Sequence, residues 1–338
     1  MKNHLPVEHH KKLMEQIKPK LRYDGSMPVE QWAEICREKL AQLLGMDTFK
    51  LCDPCFEIES EETVEDLRCI HFTLQTEEGY FTRCDLLLPQ TVEKKLPLCV
   101  CLQGHTTGAH ISYGGVKYPK DQEYGHDEDW DYGLRAAQQG FAVVCVEQRA
   151  FGECGGTPEG PACQYPEMQA LLLGRTLIGE RVWDISRVVD AMLEHYGDIV
   201  TMEGSLLMGL SGGGTATYYA ACLERRFESY MPICAVCSFA PSIIAMCHCS
   251  CNYVPGVARY FDMGDMSVMI APKKMLVVAG RYDDGCFPLV GTLDAYSIIE
   301  KRYSDFGVPD NCRLVVGDGG HRFYADESWP VYWDLMKN

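Results

Sequence analysis

No uninterrupted apolar stretch in this 338-residue chain approaches the ~18 residues expected of a membrane span. The opening segment, MKNHLPVEHHKKLMEQIKPK, lacks the apolar core that a secretory leader needs. Positive charge is scarce too: 31 Lys and Arg stand against 48 Asp and Glu, for a net charge of -17. That balance repels phosphate backbones and anionic lipid, so neither nucleic acid nor a membrane is an expected partner. No internal repeat or low-complexity tract appears, which argues against a repeat architecture. Cysteine, by contrast, is abundant, with 18 residues. In a small secreted protein that number would suggest a disulfide framework. Here the chain is large, and Cys99 and Cys101 in LPLCVCLQ and Cys145 in FAVVCVEQ lie in apolar, strand-like runs. Cysteine in such runs behaves as a small buried hydrophobe, and a reducing, cytoplasmic location is expected.

What is present is the material of a sizeable core. Apolar residues make up 46% of the chain, near the globular norm, and the length permits one large α/β domain or two ordinary ones. Residues 1–65 are polar and helix-prone. In Val29–Leu44, Trp32, Ile35, Leu40 and Leu43 recur at roughly helical spacing, which predicts an amphipathic helix in an N-terminal helical extension packed on the main domain. From Leu67 the pattern changes: LRCIHFTLQ and YFTRCDLLLP flank Glu78-Gly79 and predict an antiparallel hairpin. Apolar strand runs then follow at Leu96–Leu102, Phe141–Val146, Ser205–Leu210, Met231–Ala235, Met275–Ala279 and Arg313–Val316. Helical stretches at Trp130–Gln139, Glu180–Glu194, Gly213–Glu224 and Leu293–Tyr303 lie among them. This alternation predicts an α/β class domain over 66–338, a mostly parallel central sheet with helices on both faces. Residues 240–271 interrupt it and are expected to form an insertion near the functional site.

The decisive pattern is Gly209-Leu210-Ser211-Gly212-Gly213, a G-x-S-x-G pentapeptide after the apolar run SLLMGL and before the helix-compatible GGTATYYAACLERR. A sharp strand-to-helix turn forces the serine into strained backbone geometry that only small neighbours tolerate. The helix N-terminus behind it offers unpaired N–H groups to developing negative charge. Serine at its free pKa is a poor nucleophile and needs a base, usually histidine oriented by a carboxylate. In hydrolases built on this turn the chain order is Ser, then Asp or Glu, then His. Two of the ten histidines follow Ser211, namely His248 and His321. His321, in GDGGHRFY just after the last strand run, stands where the base belongs, whereas His248 precedes the strand that would deliver the acid. That strand, KKMLVVAG, leads into Gly280-Arg281-Tyr282-Asp283-Asp284-Gly285, where two adjacent aspartates compete and cannot both point at one imidazole. For the oxyanion, one N–H is expected from Gly212 and the other from the loop Gly104-His105-Thr106-Thr107-Gly108, with His105 as the donor.

With these segments in order, the chain resembles the acetyl xylan esterase, cephalosporin C deacetylase and dienelactone hydrolase branches of the α/β-hydrolases over most of residues 65–330. LPLCVCLQGHTTG looks like the family's strand and oxyanion loop, and VVCVEQRAFGECGG like its strand, acidic residue, Arg and Gly. LLLGRTLIGERVWDISRVVDAM is similar to the helix before the nucleophile strand, with Asp184 and Asp190 at familiar places. GRYDDGCFP resembles the family's Gly-x-x-Asp with a nearby Pro, which selects Asp283, and GGHRFY resembles its histidine loop. Two residues depart from the pattern: Gln103 stands where relatives often carry the His of a His-Gly pair, and Gly212 where the acetyl xylan esterases usually carry Gln.

The resemblance implies a serine esterase acting on small carboxylic esters through an acyl-enzyme, with acetylated carbohydrates as the favoured substrates and no cofactor. A dienelactone-hydrolase-like or thioester-cleaving enzyme is the neighbouring alternative. A catalytically inactive binding protein of the same fold is the alternative from another class. The expected partner is a small-molecule ester, and a homo-oligomer is the one macromolecular assembly left open. Cys247-His248-Cys249-Ser250-Cys251 invites a metal reading. Alternating cysteines on a strand would point the same way and give poor tetrahedral geometry, and the motif lacks a second ligand pair, so no metal is expected. The aromatic-rich stretch Tyr113–Tyr132 is placed to form either a pocket wall or an ordinary surface loop.

Overall fold

The alternating apolar runs form one twisted sheet in the computed structural model, which describes residues 4–125 and 128–337. Its strands are β1 (Glu57–Val64), β2 (Leu67–Glu77), β3 (Tyr80–Pro89), β4 (Leu96–Leu102), β5 (Ala142–Val146), β6 (Val200–Leu210), β7 (Ser229–Ile233), β8 (Lys274–Gly280) and β9 (Cys312–Gly317). They lie in the order β1-β2-β3-β5-β4-β6-β7-β8-β9. β1, β2, β3 and β5 pair antiparallel, and β5, β4, β6, β7, β8 and β9 run parallel. The helices are α1 (Pro6–Gln16), α2 (Val29–Leu44), α3 (Tyr132–Gln138), α4 (Gln164–Leu172), α5 (Leu177–Tyr196), α6 (Gly212–Leu223), α7 (Met263–Met266), α8 (Leu289–Asp305) and α9 (Ala325–Lys337).

Strand side chains alternate between faces, and each face carries its own core. Leu98, Val100 and Leu102 of β4 join Leu207, Val144 and Val277 against α2, α5, α6 and α8. The intervening Cys99 and Cys101 join Cys145, Met208 and Val278 on the opposite face, under Leu134 of α3 and Trp329 and Tyr332 of α9. These thiols are fully buried and unpaired, and burial pushes the Cys99 thiol well above its ordinary range. Both faces are covered, as a parallel sheet requires.

Two expectations about residues 1–65 need correction. The helical extension ends before residue 57, because Glu57–Val64 forms the edge strand β1, paired with β2 from Glu57↔Thr73 to Val64↔Leu67. All but the last of its side chains are exposed, so EIESEETV carries no apolar alternation. Its charges keep the sheet edge from recruiting another strand. Within α2 the buried face is Val29, Trp32, Ala33, Cys36, Leu40 and Leu44, and Ile35 is 40% exposed. Cys36 is the core residue between Trp32 and Leu40, which turns Ile35 outward. Residues 240–271 run as short turns and α7 between β7 and β8. Val257, Phe261, Met263 and Met266 of this stretch sit in the core. Among the described residues no helix is long and apolar enough to cross a membrane.

Candidate active site

The C-terminal ends of β4, β6, β8 and β9 converge on one edge of the sheet, the usual place for ligands in open parallel sheets. Ser211 occupies the turn between β6 and α6 with φ 57° and ψ -118°. A non-glycine residue in that region costs on the order of 1–3 kcal/mol and persists only where its surroundings dictate it. The Ser211 N–H donates to the Ile233 carbonyl across to β7 at 2.9 Å. A Cβ at Gly213 would stand 2.0 Å from the Leu102 carbonyl oxygen, and one at Gly209 2.5 Å from that of Gly213. Only glycines let the turn close this tightly against β4.

His321 lies in the loop after β9, and its Nδ1 is 2.6 Å from Oδ2 of Asp283 in the loop after β8. Asp283 is buried at 2% exposure, while Asp284 faces solvent. Of the two adjacent aspartates, Asp283 is the one that meets the imidazole. The two loops are stitched together by Arg281 N–H to the Gly317 carbonyl at 2.9 Å and Tyr282 N–H to that of Gly319 at 2.8 Å. A Cβ at Gly280 would fall 2.0 Å from the Gly320 oxygen, so the loops meet backbone to backbone. With Nδ1–H committed to the carboxylate, the free ring nitrogen is Nε2. Phe287 stacks near the same ring, 6.0 Å between centroids at 15°.

Ser211, Gly212, His105 and His321 line one cavity of about 370 Å³. The His105 ring packs on Gly212: a Cβ there would lie 2.5 Å from Cε1 and 2.6 Å from Nδ1. Any larger residue, including the glutamine of the resembled family, would displace this ring. Trp130 contributes to the cavity wall, whereas Tyr113 and Tyr132 are buried and donate to Asp85 and the Leu102 carbonyl, both at 3.0 Å. The aromatic stretch is therefore part wall and part core, and residues 126 and 127 within it lie outside the described residues. His248 also lines the cavity, with Nε2 3.0 Å from the Ser242 hydroxyl. Burial pushes its pKa down.

The acidic residue of the VVCVEQRAFGECGG segment, Glu147, supports the loop after β4, a role that its position along the chain does not reveal. Glu147, immediately after β5, is buried under it. It accepts from the Gln103 side-chain amide and from the Ala109 N–H at 3.2 and 3.1 Å. Gln148 Nε2 donates to the Gln103 carbonyl at 2.7 Å. Gln103, the departure from the family's histidine, is thus one half of a buried amide–carboxyl pair. Next to it Arg149 makes a buried two-point contact with Asp184, at 2.7 and 2.8 Å. Asp190 instead pairs with Arg187 at 2.6 Å on the part-exposed side of α5.

Burial pushes the Glu147 carboxyl up to about 7. An acid whose folded pKa exceeds its unfolded value of ~4.3 loses stability as pH rises between the two values, then levels off. Wild type should therefore lose on the order of 3 kcal/mol relative to Glu147→Gln between pH ~4.5 and ~7.5. Thermal melts across that range check this, and a pH-independent difference between the two proteins would contradict it.

No family model matches the chain. A relative from Bacillus subtilis (strain 168), YtaP, described by name as a hydrolase, is 25% identical over 185 residues. The match covers 54% of this chain, and the chain spans only 60% of YtaP's length. Among solved structures, one described as an acetyl xylan esterase from Bacteroides fragilis NCTC 9343 superposes with a TM-score of 0.78 at 14% identity, covering 97% of this chain and 84% of that one. A glucuronoyl esterase from Solibacter usitatus gives 0.66 at 14% identity, over 96% and 98%. Acetyl xylan esterase 1 from Thermoanaerobacterium sp. JW/SL YS485 gives 0.61 at 16% identity, over 96% and 98%. At these identities the likeness is one of architecture, and the chain has the α/β-hydrolase fold of these esterases.

Proposed function

We propose that the chain is a serine esterase that cleaves small carboxylic esters through an acyl-enzyme. The observation that carries this reading is the 2.6 Å Asp283–His321 bond at the cavity that Ser211 enters from its strained turn. In the proposed cycle His321 Nε2 removes the Ser211 hydroxyl proton as Oγ attacks the ester carbonyl. Asp283 holds the ring in the Nδ1–H tautomer and stabilises the imidazolium. The backbone N–H groups of His105 and Gly212 receive the oxyanion, aided by the N-terminus of α6. The imidazolium gives its proton to the departing alcohol. Water, deprotonated by the same nitrogen, then releases the acid and restores Ser211.

The names of the structural neighbours, acetyl xylan esterase and glucuronoyl esterase, point to carbohydrate esters as the substrate class. A cavity of about 370 Å³ suits a short acyl group. A trough of about 990 Å³ sharing Cys247, His248 and Cys249 with it, and walled by Tyr165 and Met168, offers apolar surface to a larger alcohol such as a sugar. The 18 free thiols suit a reducing compartment. A panel of nitrophenyl esters from acetate to decanoate tests the acyl range. Acetate should give the highest kcat/KM, with decanoate at least about tenfold lower, since a short pocket excludes the extra methylenes. A preference for decanoate would contradict the short-acyl reading.

A further inference from the structure

Three thiols and an imidazole from distant parts of the chain meet beside the cavity. The sulfurs of Cys163, Cys249 and Cys251 and a ring nitrogen of His105 all lie within 4.8 Å of one another, with Cys251 Sγ 3.4 Å from His105 Nε2. Ligands around a tetrahedral zinc, at ~2.3 Å for sulfur and ~2.0 Å for nitrogen, are separated by roughly 3.5–3.8 Å. The cluster therefore needs only small side-chain adjustments to close on an ion.

The sequence pattern around Cys249 argued against a metal because a strand would aim alternate cysteines the same way. The segment is a turn instead: Cys249 precedes a single turn of 3₁₀ helix over Ser250–Asn252. Both thiols face Cys163, just ahead of α4, and His105, in the loop after β4. Those two residues supply the ligand pair missing from the motif.

Charge makes the stronger case. Arg181 of α5 is 1% exposed, its Nη2 lies 3.4 Å from Cys163 Sγ, and its Nη1 has no hydrogen-bond partner. Among the described residues it forms no ion pair, and its remaining bonds go to the neutral Arg149 carbonyl. The buried Glu167 carboxylate acts on it electrostatically but makes no ion pair with it and accepts from the Leu177 N–H at 2.8 Å instead, and a buried guanidinium with no directly paired anion is disfavoured. Three thiolates and a neutral imidazole around a divalent ion carry one net negative charge, which would set an anion in direct contact with Arg181 through Cys163.

We propose that His105, Cys163, Cys249 and Cys251 bind one zinc-class divalent ion as a closed Cys₃His centre, with Arg181 as its counter-charge. Loading releases the three thiol protons to solvent. Four protein ligands leave no open position, so the ion is structural, tying the loop after β4 to the segment before α4 and the 249–251 turn. Coordination through Nε2 leaves the remaining ring proton of His105 on Nδ1, at the edge that packs on Gly212. The ion thereby sets the orientation and tautomer of an imidazole in the cavity wall. None of this depends on the esterase reading.

The test is metal content. Protein grown with zinc, purified under reducing conditions without chelator and freed of any affinity tag, should contain about one zinc per chain by mass spectrometry of the elements. Cys249→Ser should lose it, and Cys55→Ser, at an exposed thiol elsewhere, should keep it. Should Cys249→Ser fail to fold, exchange of cobalt into wild type decides the matter: intense visible d–d bands and a near-ultraviolet thiolate charge-transfer band support the site. Reduced wild type that takes up neither zinc nor cobalt would overturn the proposal. So would a zinc that survives Cys249→Ser, or a disulfide among the three thiols in place of metal.

Discussion

Ser211→Ala should lower kcat for ester hydrolysis by about 10³- to 10⁶-fold with little change in thermal stability. The loss follows from deleting the oxygen that forms the acyl-enzyme. Oxyanion donors and bound water remain, which leaves a residual rate above the uncatalysed reaction. Stability should hold because the Ser211 side chain makes no capping bond to α6, and alanine at φ 57° is strained no differently from serine. Parallel measurement of kcat and Tm checks both halves. Turnover within tenfold of wild type would remove Ser211 from the mechanism, and a collapse of Tm would show that the turn depends on the hydroxyl.

Asp283→Asn should cost about 10⁴-fold in kcat near neutral pH. The amide cannot neutralise the imidazolium, and its N–H₂ can donate to Nδ1 and so favour the tautomer with the proton on Nε2, the wrong nitrogen for a base. Asp284→Asn, one residue away but exposed, should stay within roughly a factor of two or three, as surface changes generally do. The contrast is informative because the two variants differ by the same atoms. Equal losses would mean that the loop as a whole matters rather than the Asp283–His321 bond, and a larger loss in Asp284→Asn would reverse the assignment.

How much was legible in the chain depends on how local each determinant is. The strand, turn and helix around Ser211 are written in consecutive residues, and the close backbone approach at Gly209 and Gly213 explains why glycine stands there. Asp283 and Asp284 are indistinguishable along the chain. What separates them is the hydrogen bonding of their loop to the one after β9, a tertiary fact. Edge strand β1 escaped notice because its charged residues face solvent, leaving no alternation to read. The role of Glu147, the acidic residue after the VVCV strand run, is hidden for the opposite reason. Its carboxyl is buried by a loop more than 35 residues upstream, with the Ala109 N–H as one of its partners. The grouping of the thiols is not visible along the chain because Cys249 and Cys251 lie in a turn rather than a strand, and His105 and Cys163 belong to segments that no spacing rule connects to Cys249.

In the proposed mechanism Ser211 is a nucleophile activated by His321. A fluorophosphonate ester, which phosphonylates activated serines and releases fluoride, tests it most directly when the labelled protein is digested and sequenced by mass spectrometry. A single adduct on Ser211 is expected, formed at a rate that falls with the loss of activity in Asp283→Asn and absent from Ser211→Ala. Labelling that persists in Ser211→Ala, or an intact and folded wild type that takes up no label at Ser211, would contradict it.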